Sequence, residues 1–258
     1  HTRCDVVTGV QTCALPILLG QFDWRGTVAA YAVLHLLISL PLILCLVPKE
    51  PRAPVKAGRE AQEGMHLAGA EQRAFMIMAA ILVTSGLAVT MVSVHLLTLL
   101  QAQGLSLTKA VAIGSLFGPA QVVARMVEMA GRGRHHPIWS LLFACSSVAA
   151  GLILLALDLQ LPALAMILYG AGNGVFSIAR GALPLALFGP DRYPTLMGRL
   201  ARPALLAQAG APVLGGALLS VLGPSETLAV IAALGLINFA LAGILVRVCF
   251  TGWTSAPG

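Results

Sequence analysis

The sequence predicts an all-α polytopic membrane protein with seven transmembrane helices. Hydrophobic residues make up 58% of the 258 residues, charged residues make up only 10%, and the mean hydropathy is +0.88. The apolar residues form long runs without charge, and most Lys and Arg residues lie between alternate runs. Because a soluble domain carries about 25% charged residues, this chain has too few charges to keep its whole surface in water.

Seven apolar runs are candidates for spanning a hydrocarbon core of about 30 Å, which takes about 20 helical residues. They cover residues 26–48, 74–103, 110–124, 133–157, 159–179, 203–225 and 227–246. The third run reaches spanning length only if its helix continues through 125–129. Strands of a membrane barrel would alternate polar and apolar side chains over about ten residues. No such segment occurs, so helices are predicted.

Lys and Arg are distributed unequally between the two sides of these spans. The connections after the first, third and fifth runs, together with the tail, carry eleven, whereas the other side carries Arg25 and Lys109. Cytoplasmic loops are enriched in Lys and Arg, so we expect the eleven-residue side and the C-terminus to be cytoplasmic, in a cell membrane (inner or plasma). This count treats the segment with Arg192, Arg199 and Arg202 as a loop.

The first 17 residues are unlike the rest of the chain. The stretch from Val7 to Ile17 looks like the in-frame translation of a common sequencing adapter, and neither an initiator Met nor a signal-peptide pattern precedes it. We therefore interpret 1–17 as an adapter-derived scar and expect the chain to be a fragment. Residues 48–73 are charged and contain Pro and Gly, which is typical of a linker. The predicted organisation is one span in 18–47, a cytoplasmic linker at 48–73, six spans in 74–250 and a tail at 251–258.

Glycine and proline interrupt two predicted spans at corresponding places, in the middle of the first triple and in the middle of the second. Matched interruptions of this kind are typical of the substrate pathway in secondary transporters built from repeats. Small residues also let membrane helices pack closely without any role in transport, and both interpretations stay open. The candidate helix-packing residues are Gly114, Gly118, Pro119, Gly170, Gly174, Pro212, Gly215 and Gly216.

Three segments resemble the major facilitator superfamily. Residues 22–25, Phe-Asp-Trp-Arg before an apolar span, are similar to the outer loop before the family's sixth helix. Residues 124–132 resemble the family's G-x-L-a-D-r-x-G-r loop motif between the eighth and ninth helices, with Ala124 in place of Gly and Glu128 in place of Asp. Residues 210–216 are similar to the antiporter-type G-P-x-x-G-G signature, displaced to the eleventh helix.

The resemblance implies which part of a transporter this chain contains. Residues 74–250 would be its C-terminal six-helix bundle, a 3+3 inverted repeat, and 18–47 the last helix of the N-terminal bundle. The function implied is secondary transport of a small-molecule substrate by alternating access, with efflux-type antiport as one form of it. The partners would be the lipid bilayer and the missing N-terminal half, and no cofactor is implied. A non-transporting membrane scaffold or receptor is the alternative.

Polar side chains on the implied cavity-lining helices are the candidates for the substrate pathway. They are Gln121, Asn173, Arg180 and Gln208. Because a charge at the bilayer centre costs about 2.5–3.5 kcal/mol on insertion scales, an intramembrane arginine needs a role. Arg180 could bind an anionic substrate, pair with Glu128 or contact a lipid headgroup. Asn238 is instead interpreted as a contact between helices.

The loop motif gives the candidate gating residues Arg125, Glu128, Gly131 and Arg132. Arg125 and Glu128 are three residues apart on a helix, so they can form an ion pair. The family motif implies that Glu128 faces the N-terminal end of the eleventh helix and latches a cytoplasmic gate; a simple interfacial ion pair is the alternative. His95, toward the outer end of its span, is interpreted as solvated or interfacial.

Several other functions find no support in the sequence. The motifs H-E-x-x-H, G-x-S-x-G and G-x-x-x-x-G-K-[ST] do not occur, so neither an intramembrane enzyme nor ATP use is predicted. The cysteines form no C-x-x-C pair, and no metal site is predicted. The net charge of +6 lies in short clusters between apolar runs, which does not indicate nucleic-acid binding.

Overall fold

The computed structural model describes residues 25–26, 28–30, 32–46, 67, 69–131 and 135–252. The predicted scar, most of the predicted linker, Arg132 and the last six residues lie outside these ranges. The chain divides into two compact units, His1–Gln62 and Glu63–Gly258. All regular structure in the described ranges is helical.

The first unit contains one apolar helix, α1 (Val28–Leu46). It includes a π-helical turn at His35–Ser39, where the backbone N–H of Leu40 donates to the carbonyl of His35. Pro41 follows directly and has no N–H to donate to the preceding turn, and a wider turn accommodates this loss. The described side chains of α1 are mostly exposed within the unit, as expected of an apolar helix that spans lipid.

The second unit is a helical bundle. Its helices are α2 (Ala70–Ala102), α3 (Leu107–Gly114), α4 (Phe117–Ala130), α5 (Pro137–Ala156), α6 (Pro162–Val221) and α7 (Pro224–Gly252). The long helix α6 contacts each of the other five. It is interrupted at Gly189, whose φ of 74° and ψ of 165° are not helical. We therefore call residues 162–188 α6a and residues 190–221 α6b.

The count of spans agrees with the sequence once this interruption is recognised. Six apolar helical stretches in the described residues are long enough to cross a membrane, and one of them is the whole of α6. Because α6a and α6b are separate helices, the described ranges contain seven spanning segments. The third stretch, Leu107–Ala130, combines α3 and α4, so the third predicted run does continue past residue 124.

The predicted loop around Arg192 and Arg199 is wrong. These residues are helical, and the turn between α6a and α6b is confined to Gly189. A positive φ favours glycine, and Pro190 fits the first turn of the next helix, where a missing N–H has no consequence. Gly189 and Pro190 therefore separate the two helices, and the longer loop that the sequence predicted is not needed.

The two Gly/Pro interruptions do not have the same structure. The break between α3 and α4 falls at residues 115–116, between Gly114 and Gly118, and Pro119 lies in the first turn of α4. Pro212 and Gly215, in contrast, lie inside the continuous helix α6b. The Gly/Pro interruption at residues 114–119 divides one helix from the next, and its proline lies at the start of the second helix. The interruption at residues 212–216 does not divide a helix.

The core of the bundle consists of two apolar clusters, and most of its long helices contribute one stretch to each. The first is centred on Leu99, Leu152, Met166 and Ile231. The second is centred on Met78, Leu141, Leu183, Leu200 and Leu245. Polar residues occupy the level between the clusters, so the bundle has a polar layer near the middle of its length.

Asn238 joins three helices in this layer. It is 3% exposed, its amide donates to the hydroxyl of Ser85 on α2, and its carbonyl oxygen lies 3.8 Å from the Cys145 sulfur on α5. These contacts agree with its interpretation as a residue that holds helices together. In contrast, large apolar side chains such as Leu206 and Val213 are more than three-quarters exposed, as expected of a bundle whose surroundings are apolar.

Candidate solute cavity

A cavity of about 470 Å³ opens between α2, α4, α6a and α6b. Apolar side chains, among them Leu82, Phe176 and Met197, form part of its wall. The polar part of the wall consists of Ser85, Gln121, Arg125, Asn173, Ser177, Arg180 and Gln208. These side chains come from four helices, so the cavity exists only in the packed bundle.

All four residues that the sequence analysis proposed for the substrate pathway line this cavity: Gln121, Asn173, Arg180 and Gln208. Asn173 is 9% exposed, and its amide nitrogen donates to the carbonyl of Tyr169 in its own helix at 2.8 Å. Gln208 on α6b packs against Gly86 on α2. The structure thus brings residues from separate parts of the sequence to one place.

Three polar lining residues were not among the proposed pathway residues: Ser85, Arg125 and Ser177. Ser177 follows Asn173 by four positions and precedes Arg180 by three, so Asn173, Ser177 and Arg180 lie on one face of α6a. That helical spacing could have identified Ser177 from the sequence. Arg125 follows Gln121 by four positions on α4, and its Nη2 approaches Gln121 Oε1 at 3.5 Å.

The predicted Arg125–Glu128 pair is not formed in the structure. Arg125 lines the cavity, whereas Glu128 Oε1 accepts a hydrogen bond from the Ser140 hydroxyl on α5. Residues three apart on a helix are neighbours on its surface, so the spacing allows the pair, but each side chain has other neighbours in the bundle. Arg125 therefore lines the cavity, apart from Glu128, and its role in gating stays a prediction.

Glu128 also does not face the start of the eleventh-helix equivalent, α6b. It lies in a crevice with the first turn of α5 and with residues 178–182 of α6a, and the described residues of that crevice include none from α6b. Gly131 ends α4, and its N–H contacts the carbonyls of Val127 and Glu128. Arg132, the last residue of the proposed motif, lies outside the described residues.

The tightest helix crossing near the cavity involves Gly170 and Gly174 of α6a. A Cβ added at Gly170 would lie 2.7 Å from the carbonyl oxygen of Phe117, and one added at Gly174 would lie 2.5 Å from that of Gln121. No room exists for a larger residue, because the obstructing atoms are backbone. This crossing places Gln121 next to Asn173.

The remaining helix-packing candidates differ among themselves. A Cβ at Gly215 would meet the imidazole of His95 at 2.6 Å, and one at Gly114 would lie 3.3 Å from Leu96, whereas Gly216 has only an ordinary contact with His95 at 4.0 Å. Gly118 has no neighbour from another described helix within 4 Å of an added Cβ, so its role in helix packing stays a prediction. Gly118 stands beside the helix break and faces open space.

His95 is not an isolated interfacial imidazole. Its Nε2 lies 3.2 Å from the carbonyl oxygen of Pro212. Because a carbonyl can only accept, Nε2 carries the hydrogen in this contact. The ring packs against Gly215 one turn further along α6b, so His95 contacts both Pro212 and Gly215.

No group of three or more His, Cys, Asp or Glu side chains that could hold a metal occurs within the part of the chain that the structure describes. The cavity wall is made of amides, hydroxyls, guanidinium groups and apolar side chains. These groups can bind a solute by hydrogen bonds and charge.

Apolar helices of spanning length, packed around a cavity with amide, hydroxyl and guanidinium groups in its wall, are typical of a multi-pass membrane protein. Residues 12–198 match the family model of the Major Facilitator Superfamily. This match covers more than two thirds of the chain, so the chain belongs to the major facilitator superfamily, whose members are membrane transporters. Searches of curated proteins and of solved structures gave no match.

The bounds of the match bear on the proposed organisation of the chain. The match begins at residue 12, inside the stretch that we interpret as adapter-derived, and that interpretation stays a prediction. It ends at residue 198, in the first part of α6b. The cavity residues on α2, α4 and α6a thus lie within the matched region, whereas Gln208 lies beyond it.

Proposed function

We propose that this chain forms one wall of a secondary transporter that moves a small solute by alternating access. The observation that supports this most is the meeting of Gln121, Asn173, Arg180 and Gln208 around one cavity. Ligand cavities in proteins are commonly 300–1,000 Å³, and a volume of about 470 Å³ suits a small solute. The second wall would come from the N-terminal half of the transporter.

The contact between α2 and α6b offers a place where the cavity could change shape. At Gly86 the two helices approach so closely that an added Cβ would lie 2.9 Å from the Gln208 side chain. The nearest atoms belong to the flexible side chain of Gln208 and not to backbone. If the two helices slide past each other, Gln208 would move relative to the rest of the wall. Substrate sites at repeat interfaces in transporters change their exposure through such movements.

The direction of transport and the orientation of the chain are also proposals. The similarity of 210–216 to an antiporter signature supports efflux by exchange. The excess of Lys and Arg on one side supports a cytoplasmic C-terminus in the cell membrane. A reporter that is active only in the cytoplasm, fused after residue 258, should be active, and a reporter that requires export at the same place should not.

Water access to the cavity can be tested with cysteine labelling. In a chain whose natural cysteines are replaced by Ser, Ser177→Cys should react rapidly with a water-soluble thiol reagent when the protein is in lipid nanodiscs. Leu206→Cys is the matched control, because its side chain is 77% exposed on the outside of the bundle and would face lipid. Equal rates at the two positions would contradict a water-filled cavity.

Transport itself requires a flux measurement. When the gene that encodes this chain is expressed in a host that lacks its transport activity, solute accumulation should change, and dissipating the ion gradients should abolish the change. Gln208→Leu should reduce the flux, while Leu206→Ala on the outer surface should not. If the protein is a non-transporting scaffold, neither the natural protein nor the Gln208→Leu variant should change solute accumulation.

We also propose that Glu128 acts in the conformational cycle rather than in solute binding. Its partner Ser140 lies in the first turn of α5, so the contact ties α4 to α5 at one end of the bundle. Glu128→Gln should lower the transport rate more than the affinity for solute, and Ser140→Ala should do the same to a smaller extent. Unchanged flux kinetics in Glu128→Gln would exclude this role.

A further inference from the structure

We propose that the cavity binds an anionic group of its solute, a carboxylate or a phosphate, between Arg125 and Arg180. This inference rests on the proposed function and names the class of solute. The lining contains two arginines and no Asp or Glu. Guanidinium groups remain charged in proteins, so the described wall carries a net positive charge inside an apolar bundle.

Arg125 is poorly satisfied by its protein neighbours. Its Nε is buried and has no hydrogen-bond partner, and its contact with Gln121 Oε1 is long, at 3.5 Å. Buried polar groups in proteins nearly always have a partner, and an exception calls for an explanation. An anion in the cavity could accept hydrogen bonds from the guanidinium, which favours planar carboxylate and phosphate oxygens.

Arg180 has no carboxylate partner in the described part of the chain. It extends from α6a into the same cavity and is exposed to it. The carboxylate that sequence reasoning offered as a partner, Glu128, is engaged with Ser140 instead. Both arginines therefore line the cavity without a carboxylate partner among the described residues.

A third arginine shows how the same chain treats a structural cation. Arg192 on α6b donates two hydrogen bonds to the carboxylate of Glu71 on α2, at 3.1 and 2.9 Å. This bidentate geometry satisfies a guanidinium within the protein. Among the described residues, the chain thus supplies a counterion at the end of the bundle but none in the cavity wall, where a bound anion would take its place.

The neutral polar groups of the wall complete the site. Gln121, Asn173 and Gln208 can donate to or accept from the remaining polar atoms of a solute. They do not cancel the charge of the arginines, and attraction between charges beside a protein surface is stronger than in bulk water. The cavity should therefore select anionic solutes over cationic ones.

The test uses the full chain in phosphatidylcholine nanodiscs with the Ser177→Cys label. Inorganic phosphate and succinate are the anionic probes, glucose is the neutral probe and tetraethylammonium is the cationic probe. We expect at least one anion to slow labelling of Cys at position 177, with protection weakened by KCl. Arg125→Gln and Arg180→Gln should each raise the anion concentration needed for half-maximal protection at least tenfold. Arg125→Lys and Arg180→Lys keep the positive charge and should raise that concentration less.

Arg199→Gln is the matched control, because Arg199 is an exposed arginine of α6b outside the cavity lining. It should leave protection unchanged. Helical circular dichroism and elution profiles establish that each variant folds. Variants that fold but keep full protection by anions would overturn the assignment of the two arginines.

The other outcomes separate this inference from the proposed function. If glucose or tetraethylammonium protects and the anions do not, the cavity is a solute site but the anionic class is wrong. If only added phosphatidylglycerol protects, the site binds a lipid headgroup and the inference about solute is overturned. If Cys at position 177 does not react at all, the water-filled cavity fails, and the proposed function fails with it.

Discussion

The bundle contains two glycine pairs with the same spacing and opposite surroundings. Gly170-x-x-x-Gly174 on α6a lies against the backbone of α4, with an added Cβ only 2.7 and 2.5 Å from carbonyl oxygens. Gly114-x-x-x-Gly118 straddles the break between α3 and α4, and its second glycine faces open space. The spacing alone therefore does not identify a helix crossing, because the partner backbone must also be present.

The two pairs also differ in their relation to the proposed solute cavity. The crossing at Gly174 brings the backbone of Gln121 to the residue next to Asn173, and these two amides then share one wall of the cavity. The break at 115–116 instead separates the short helix α3 from α4. One pair builds the proposed solute site, and the other marks a change of helix.

Substitution at the crossing should have the largest effect. Gly174→Ala places a methyl group against a backbone oxygen that cannot rotate away, and overpacking of this kind costs about 1–3 kcal/mol. We expect the cost to lie at the upper end and Gly174→Val to prevent folding. Thermal unfolding in detergent, followed by helical circular dichroism, measures the change. A Gly174→Ala protein as stable as the natural chain would contradict so close an approach of α6a to α4.

A smaller effect is expected at Gly215, whose obstructing neighbour is a side chain. Gly215→Ala should destabilise the bundle by about 1–2 kcal/mol, because the His95 ring must move away. His95→Ala alone should also destabilise, since the contact with the Pro212 carbonyl is lost. The double variant should be more stable than the sum of the single effects predicts. Additive effects in this double-mutant cycle would show that the two residues do not touch.

Gly86→Ala should change the cavity more than the stability. The nearest atoms to an added Cβ belong to the Gln208 side chain, at 2.9 Å, and this flexible side chain can shift at a cost of about 1 kcal/mol or less. Because Gln208 lines the cavity, its movement should alter the labelling rate of Ser177→Cys. Gly243→Ala, a glycine on α7 with nothing within 4 Å, is the control and should leave that rate unchanged.

The sequence predicted the helical membrane fold and the main cavity residues because both depend on local composition. Long charge-free runs indicate spans, and polar residues such as Gln121 and Asn173 are conspicuous inside them. The resemblance to the family then indicated which helices share a cavity. The family match and the seven helical segments agree with this reasoning.

The sequence could not predict which neighbour each side chain meets. Arg125 and Glu128 are close enough along α4 to pair, but the structure places Arg125 at the cavity and Glu128 against Ser140 of another helix. Gly118 and Gly174 each end a G-x-x-x-G pattern, and this spacing does not show which of them meets the backbone of another helix. The turn at Gly189 was missed because one residue with a positive φ performs what a loop usually does.

The smallest effect, and one of opposite sign, is expected at Gly118. No atom lies within 4 Å of an added Cβ, and the glycine does not have a positive φ. Gly118→Ala should therefore leave the packing unchanged and stabilise the start of α4, by up to about 1 kcal/mol from the higher helix propensity of alanine and the reduced freedom of the unfolded chain. The same unfolding measurement as for Gly174→Ala applies, so the two variants form a matched pair with identical chemistry. Destabilisation by Gly118→Ala comparable to that by Gly174→Ala would mean that a further helix covers this face, and the contrast between the two glycine pairs would no longer hold.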